Sequence, residues 1–406
     1  MKNMTNKLAL ARQSFLILGL SASGIFTNVA SANELSTSYE LGLEARVFTE
    51  SPRFDDQVDT AQLSLSFEPE LRWRSEDRTQ RVSFVGFSRL DSADGERSRV
   101  DIRELLYEHN WDRFTLTAGI NKVFWGVTES VHLVDVINQS DLIEDIDQED
   151  KLGQPMILAS WQQDWGKVDA FVLPYFRTRT FASEKGRFFF GLPISDDAAY
   201  ESDREEHHVD FALRYSHYLG DMDIGLHFFD GTNREPQIRP NLSGTLTPFY
   251  EQMQQTGIDL QYTVDAWLFK FEGLYRTSDF DDFGAAVGGF EYTIFQLNDS
   301  AMDLGLLAEY QFDDRNQDLT FTLADNDLFL GARLGFNDTQ DTAVLAGVVN
   351  DLDTHSRFFN LEAERRFGNQ IVGELRARVF DNIDRQDPLR AFSQDDYVEV
   401  SLSYFF

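Results

Sequence analysis

Apolar and polar side chains alternate with a period of two along most of this chain. In the stretch 60–75, Leu63 and Leu65 alternate with Gln62 and Ser64, and the alternation continues to the end of the stretch. A β-strand has this period because its successive side chains point to opposite faces of the sheet. The pattern therefore predicts strands that have one apolar and one polar face.

Eighteen segments of this kind can be counted along the chain. A tilted strand needs about 9–11 residues to cross a bilayer, whereas globular strands usually have about five or six. The segments have the longer, membrane-crossing length. The predicted strands are 37–49, 60–75, 80–92, 99–110, 113–124, 155–164, 166–177, 207–219, 222–231, 251–264, 266–277, 284–297, 301–313, 326–336, 341–350, 356–367, 370–381 and 396–406.

The connections between these strands alternate in length. Those after even-numbered strands are mostly short, such as 77–78 and 220–221, and those beginning at Ser51 or Asn382 are longer and more acidic. Outer-membrane barrels combine short periplasmic turns with long surface loops. We therefore predict an all-β fold, a transmembrane antiparallel up-and-down β-barrel of about 18 strands (16–18) that forms one domain over residues 33–406.

The last eleven residues, DYVEVSLSYFF, fit the closing strand of such a barrel. Val400, Leu402, Tyr404 and Phe406 lie on its apolar face, which we predict to face lipid. An open sheet edge in lipid would leave backbone groups without hydrogen bonds. We therefore expect this strand to pair with the first strand near residues 39–47.

The N-terminal segment has the features of a targeting signal. Lys7 and Arg12 precede an apolar run at 15–20, and Ala-Ser-Ala at 30–32 provides a small-x-small cleavage site. We interpret residues 1–32 as a secretory signal peptide. A single N-terminal membrane anchor is the alternative.

Composition and charge exclude some classes of protein. The formal net charge of −33 argues against nucleic acid as a partner, since phosphates would be repelled. The absence of cysteine excludes disulfides and thiolate metal sites. The 36 Phe, 13 Tyr and 6 Trp suit a wall that faces lipid. A girdle at the membrane interfaces is predicted for Trp73, Trp111, Trp125, Trp161, Trp165 and Trp267.

The polar faces of the predicted strands carry many charged residues. Because Arg or Lys near the bilayer midplane costs about 2–4 kcal/mol on the lipid side, these residues should line a wet lumen. Glu272 and Glu309 are among the acidic residues assigned to this inner face. The arginines that we take as pore or constriction candidates are Arg72, Arg74, Arg89, Arg214, Arg276, Arg333, Arg376 and Arg378.

The longest connection, 125–154, differs from a solvated loop because it has apolar residues of its own, including Val134, Val136 and Ile137. Long loops are usually functional. We predict that this loop folds into the lumen and narrows the pore; an ordered extracellular cap is the alternative. Its acidic residues are the further constriction candidates, Glu144, Asp145, Asp147, Glu149 and Asp150, and we expect them to face arginines of the opposite wall.

The same carboxylates could instead hold Ca²⁺ weakly, although the spacing of a calcium-binding loop is not met. We otherwise predict no cofactor and no confident metal site. No G-x-S-x-G, H-E-x-x-H or P-loop pattern occurs, so we predict no enzyme. A Ser/His catalytic pair stays open as the third alternative, because triads depend on geometry rather than on order in the chain.

The chain resembles the porin-like outer-membrane barrels of Gram-negative bacteria. The resemblance rests on the C-terminal signature and on the stretches GINKVFWG (119–126), KLGQP (151–155) and LPYFR (173–177), which are similar to those of uncharacterised porin-like proteins. It implies an outer-membrane location and a last strand that the barrel-assembly machinery reads. It implies no particular solute.

The leading functional hypothesis is an outer-membrane channel for passive diffusion of small hydrophilic solutes. The alternative is a non-conducting surface receptor or adhesion barrel whose acidic loops bind divalent ions. Expected partners are outer-membrane lipid and lipopolysaccharide, the barrel-assembly machinery and the solutes, with a homo-oligomer as a further prediction.

Overall fold

Eighteen long strands follow one another around a closed antiparallel sheet, and three short strands form a separate small sheet. The computed structural model describes residues 33–320, 322, 325–385 and 387–406, so the predicted signal peptide lies outside the described residues. The strands, in chain order, are β1 (Glu34–Phe48), β2 (Ala61–Arg74), β3 (Gln80–Asp91), β4 (Arg99–Trp111), β5 (Phe114–Asn121), β6 (Gln154–Gln163), β7 (Gly166–Leu173), β8 (Ala199–Tyr200), β9 (Asp210–Leu219), β10 (Met222–Thr232), β11 (Gln237–Pro240), β12 (Leu246–Tyr250), β13 (Gln252–Val264), β14 (Trp267–Ser278), β15 (Asp282–Ile294), β16 (Asp303–Asp313), β17 (Asn326–Gly335), β18 (Ala343–Asp351), β19 (Arg357–Phe367), β20 (Ile371–Asp381) and β21 (Tyr397–Phe405).

The sheet closes where the last strand meets the first. β1 pairs with β2 on one side and with β21 on the other, and Leu43 lies opposite Leu402 in this seam. The N–H of Phe406 donates to the carbonyl of Tyr39, and the N–H of Tyr39 donates to the carbonyl of Phe406, both at 3.0 Å. The predicted eighteen-stranded barrel and the predicted pairing of its two ends are confirmed.

The outer face of the barrel is apolar. Along β2, Leu63 is 59% exposed, whereas Gln62 and Ser64 are 3% and 5% exposed. The same contrast recurs on β1 and β21, where Leu43 and Leu402 are exposed. A closed sheet with an apolar outer face fits lipid. The backbone groups of each strand are hydrogen-bonded to the neighbouring strands, and the polar face of the sheet points to the interior.

Aromatic side chains surround the end of the barrel that has the short turns. The exposed tryptophans next to these turns are Trp111, Trp161, Trp165 and Trp267. Trp73 is half-buried. The girdle prediction is wrong for Trp125, which is buried because it belongs to the long loop and packs inside the ring of strands.

The connections follow the predicted alternation of short turns and long loops. Two features of the long loops differ from the prediction. β7 ends at Leu173 instead of continuing to residue 177, because Pro174 has no N–H with which to extend the ladder. The small sheet is formed by two loops: β8 lies in the loop between β7 and β9, and β11 and β12 lie in the loop between β10 and β13. In this sheet β12 pairs with β11 and with β8.

Helical structure among the described residues is limited to three short 3-10 helices, Glu205–His207, Leu297–Asp299 and Pro388–Phe392. None of the described helices is long and apolar enough to cross a membrane.

Candidate functional site

The connection between β5 and β6, residues 122–153, is the long loop that the sequence singled out at 125–154. Asn138 fixes its middle to its own base. The side-chain amide of Asn138 donates to the carbonyls of Asn121 and Leu152 at 2.9 and 2.8 Å, and its oxygen accepts the N–H of Val123 at 2.9 Å. Three hydrogen bonds from one buried amide hold the two ends of the loop together.

Apolar residues of the long loop pack against the inner faces of several strands. Val134, Val136 and Ile137 are buried in one cluster with Trp125, Met156, Phe171, Leu173, Ala212, Phe229 and Met253. Leu133 packs against a second cluster on β14 and β15. Fully burying side chains such as Val134 and Ile137 contributes about 1.5–3 kcal/mol each. This burial explains why the loop has an apolar pattern.

Carboxylates on the strands hold the first half of the loop through its backbone. The N–H groups of Val127 and Thr128 donate to Glu272 on β14 at 2.6 and 3.0 Å. The N–H and hydroxyl of Ser130 donate to Glu309 on β16 at 2.8 and 2.6 Å. Both carboxylates are buried, so charge-assisted hydrogen bonds compensate for their loss of water.

An ion pair extends these contacts to β17. The guanidinium of Arg333 lies 2.6 Å from the carboxylate of Glu129 in the loop. Counting strands around the closed sheet, β17 is halfway around the ring from β5, where the loop begins. The long loop therefore contacts the strands that face its own base.

Arginines hold the second half of the loop through Glu144. Arg89 on β3 and Arg99 on β4 lie 2.6 and 3.1 Å from its carboxylate. Arg97, just before β4, donates to the carbonyl of Ile143 at 3.0 Å. We call Glu144 with Arg89, Arg97 and Arg99 the Glu144 cluster.

A second group of charges, the Asp145 cluster, joins the loop to the closing strands. Arg378 on β20 lies 3.1 Å from both Asp145 and Asp147, and Arg376 lies 3.5 Å from Asp145. The hydroxyl of Tyr397 on β21 donates to Asp145 at 3.3 Å. Two adjacent acidic residues of the loop thus attach it to different parts of the ring.

The environments of these carboxylates shift their pKa values in opposite directions. Burial by itself would raise the pKa of Glu144, but Arg89 and Arg97 hold this pKa below its ordinary value. Burial and the neighbouring charge of Asp145 raise the pKa of Asp147 well above its ordinary value, although Arg378 opposes the shift. Glu144 therefore remains charged to lower pH than Asp147 does.

The other acidic candidates of the loop occupy different surroundings. Glu149 lies 2.7 Å from a ring nitrogen of His132, which is in the same loop. Asp150 accepts the N–H of Asp141 through its backbone carbonyl at 2.7 Å. Glu144, Asp145 and Asp147 thus contact arginines, and Glu149 contacts a histidine of the same loop. Weak binding of Ca²⁺ by these carboxylates stays a prediction.

For four of the arginine candidates, all ion-pair partners among the described residues lie outside the acidic stretch. Arg333 pairs with Glu129, as described, and Arg276 lies 2.5 Å from Glu235 in the loop between β10 and β13. Arg214 lies 2.8 Å from Asp259, and its guanidinium is 4.9 Å from the centre of the Trp125 ring. Arg72 pairs with Glu70 on its own strand.

Arg74 has no ion-pair partner among the described residues. It is exposed at the end of β2, next to a short turn.

Sequence reasoning missed several members of the site, including two arginines. Arg97 and Arg99 were not candidates, although the alternation R-S-R at the start of a predicted strand places both on the face that carries Asp101. Glu272 and Glu309 were assigned to the inner face, but their role as acceptors for the loop backbone could not be read from their own strands.

The closed ring of eighteen strands, apolar outside and charged inside, has the fold of porin-like outer-membrane barrels. No protein-family model matches the chain, and no curated protein sequence matches it.

Solved structures of porins are similar to it in fold. The BenF-like porin from Pseudomonas fluorescens Pf-5 matches with a TM-score of 0.53 and 10% identity over 92% of this chain and 98% of that chain. OpdQ from Pseudomonas aeruginosa matches with a TM-score of 0.52 and 11% identity over 92% and 97%. OccK3 (OpdO) from the same organism matches with a TM-score of 0.51 and 11% identity over 91% and 95%.

Proposed function

We propose that this protein is an outer-membrane channel for passive diffusion of small hydrophilic solutes. The observation that carries the proposal is the set of contacts of the long loop. Its first half binds Glu272, Glu309 and Arg333, and its second half binds Arg89 and Arg378, in other parts of the ring. A segment tied to the ring in this way divides its interior and narrows the path for solutes.

In this proposal the charges next to the loop select the solutes. Glu144 and Asp145 are negative, and Arg89, Arg99 and Arg376 stand against them on the wall. These pairs are in direct contact, so the members that stay partly exposed to the path, such as Arg376, are the ones that favour small polar or charged solutes and disfavour apolar ones.

Planar-bilayer recordings test this function directly. The purified protein should give discrete conductance steps, and deletion of residues 143–151 should raise the single-channel conductance because the Glu144 and Asp145 clusters can no longer hold the loop. Asp145→Asn is the matched control, since it keeps the chain length. Because it keeps the Glu144 cluster, it should raise the conductance much less than the deletion does, and it should shift the reversal potential in a salt gradient towards anions, because Arg376 and Arg378 lose a counter-charge.

Two results would contradict the proposal. Correctly folded protein that gives no conductance steps would favour the non-conducting receptor or adhesion barrel. A deletion variant that conducts and selects as the wild type does would show that the loop does not limit the path.

We infer the surroundings of the channel from its surface and its last strand. The apolar outer face suits outer-membrane lipid, with lipopolysaccharide around the loop end. Val400, Leu402, Tyr404 and Phe406 end the chain as an alternating lipid-facing strand, which we propose as the signal for the barrel-assembly machinery. A homo-oligomer stays a prediction.

A further inference from the structure

Three carboxylates meet at the loop end of β17 and β18. Asp325 directly precedes β17, Asp327 is the second residue of β17, and Asp351 is the last residue of β18. One carboxylate oxygen of each lies within 4.8 Å of the others. These residues are separate from the long loop and from the Glu144 and Asp145 clusters.

The register of the two strands makes this arrangement unfavourable for the protein alone. Asp327 lies directly opposite Asp351 in the antiparallel pair of β17 and β18. Like charges at directly opposed positions destabilise a sheet. Among the described residues, no Lys, Arg or His forms an ion pair with any of the three aspartates.

The side chain of Asp327 is an independent sign that a ligand belongs here. Asp327 is only 3% exposed, and its Oδ2 atom is buried without a hydrogen-bond partner among the described residues. An unsatisfied buried polar atom destabilises the folded state, and more so when the group is charged. The unpaired oxygen belongs to the same triad of carboxylates.

The two other carboxylates are held in place by the backbone. Asp351 accepts the N–H groups of Asp353 and Thr354 at 2.7 and 2.8 Å, and Asp325 accepts the N–H of Asn326 at 2.8 Å. These bonds orient both side chains. They supply no full positive charge, so the three carboxyl groups remain together without a cation from the described residues.

We propose that Asp325, Asp327 and Asp351 form a Ca²⁺ site at the loop end of the barrel. Oxygens that bind one Ca²⁺ at about 2.4 Å are at most about 4.8 Å apart, as they are here. Ca²⁺ takes 6–8 oxygen ligands in flexible geometry, so water and backbone carbonyls can complete the shell, whereas Mg²⁺ requires a stricter octahedron. The ion would remove the repulsion between β17 and β18 and tie the end of the 314–325 connection to both strands.

Calcium binding by barrel refolded in detergent, without lipopolysaccharide, tests the proposal. After treatment with EDTA, the wild-type protein should bind one Ca²⁺ in equilibrium dialysis with ⁴⁵Ca²⁺, with a Kd in the range of extracellular calcium modules, about 10⁻⁴–10⁻³ M. Ca²⁺ should raise the unfolding temperature through mass action on the native state, and Mg²⁺ at the same concentration should raise it less.

Asp327→Asn is the decisive variant because it keeps the shape of the side chain. It should weaken Ca²⁺ binding by at least about tenfold, since one charged ligand is lost. In EDTA it should be at least as stable as the wild type, because the opposed negative charges are gone. This second measurement separates a lost ion site from a misfolded barrel.

Asp164→Asn is the matched control for net charge, since Asp164 is exposed in a short turn at the other end of the barrel. It should bind Ca²⁺ as the wild type does. Binding of Ca²⁺ by Asp327→Asn at wild-type strength, no saturable binding by the wild type, or an equal response to Mg²⁺ would each overturn the proposal.

Discussion

Arg378 stands between three carboxylates. Its guanidinium lies 3.1 Å from Asp145, 3.1 Å from Asp147 and 2.8 Å from Glu362. One cation cannot neutralise three anions, so the group that is buried next to another negative charge takes up a proton most readily. Burial would raise the pKa of Asp145 as well, but Arg378, Arg376 and Arg46 together lower it. Asp147 is opposed only by Arg378, and its pKa is raised by burial and by Asp145.

This shift predicts a change of ion selectivity with pH. As the pH falls towards the range in which ordinary carboxylates titrate, Asp147 should gain its proton before they do, and the channel should become more anion-selective. The reversal potential of the wild type in a salt gradient should shift over this range, whereas that of Asp147→Asn should not. An equal shift in both proteins would assign the titration to another group.

The sign of the linked effect on stability follows from the same pKa. Because the folded-state pKa of Asp147 is raised, the folded protein holds this proton more tightly than the unfolded chain does. The contribution to stability is therefore present at low pH and lost as the pH rises through the folded-state pKa. Glu144, whose pKa is lowered, contributes in the opposite sense and loses its contribution on acidification.

At the residue scale the sequence predicted which groups are charged and which face they occupy, but not which groups pair. The alternation on β20 placed Arg376 and Arg378 on the inner face. Their partner Asp145 is 233 residues away from Arg378 in the chain. No local pattern reports such a distance, because the contact depends on the path of the whole loop.

At the scale of elements, two kinds of contact between the strands and the long loop hold the loop in place. Strand carboxylates accept N–H groups from its first half, and strand arginines bind carboxylates of its second half. The first kind of contact is independent of the loop side chains. A change on β14 should therefore release the loop without altering its sequence.

The substitution Glu272→Ala on β14 should release the first half of the long loop. It removes the acceptor of the N–H groups of Val127, Thr128 and Val134, and each unsatisfied buried donor costs about 1–3 kcal/mol. Amide hydrogens in this part of the loop should then exchange faster with solvent, as measured by mass spectrometry, while those of the strands keep their protection.

Glu291→Ala is the control, because Glu291 lies on the neighbouring strand β15 and makes no hydrogen bond to the long loop among the described residues. Unchanged exchange of the loop amides in the Glu272 variant would show that the apolar cluster alone holds the loop in place.

The strands themselves were predictable because each carries its own period of two over a membrane-crossing length. The small sheet of β8, β11 and β12 was not, since strands of two to five residues are too short to show a period. The predicted strand 166–177 extends beyond the observed end of β7 at Leu173, because the apolar pattern continues past Pro174, where the hydrogen-bonded ladder stops.

At the scale of the whole molecule, the pairing of β1 with β21 closes the ring of strands. Phe406 completes it through two backbone hydrogen bonds to Tyr39, and the two rings stack with their centres 5.4 Å apart. The closing strand therefore ends in an aromatic contact with the first strand.

Phe406→Asp should separate assembly from stability. A charged residue near the membrane interface costs only about 0–1 kcal/mol, so refolded protein should be close to the wild type in unfolding free energy. In cells, export should continue and the amount of assembled, heat-modifiable barrel should fall, because the assembly machinery reads this residue in our proposal. Phe367→Asp, at another exposed aromatic residue, is the control and should assemble. Normal assembly of Phe406→Asp would contradict this role.

The closing seam also determines when the barrel can become complete. Arg46 and Glu399, 2.6 Å apart and buried in the seam, are separated by 353 residues of chain. Until nearly all strands have been added, Arg46 and Glu399 cannot form their ion pair, and the two edge strands of the open sheet stay unpaired. Loop-closure entropy grows only slowly with length, so this long separation should slow the final step far more than it weakens the finished structure. Closure is then an all-or-none event, because a barrel that lacks even its last strand has neither its buried ion pair nor a sealed wall.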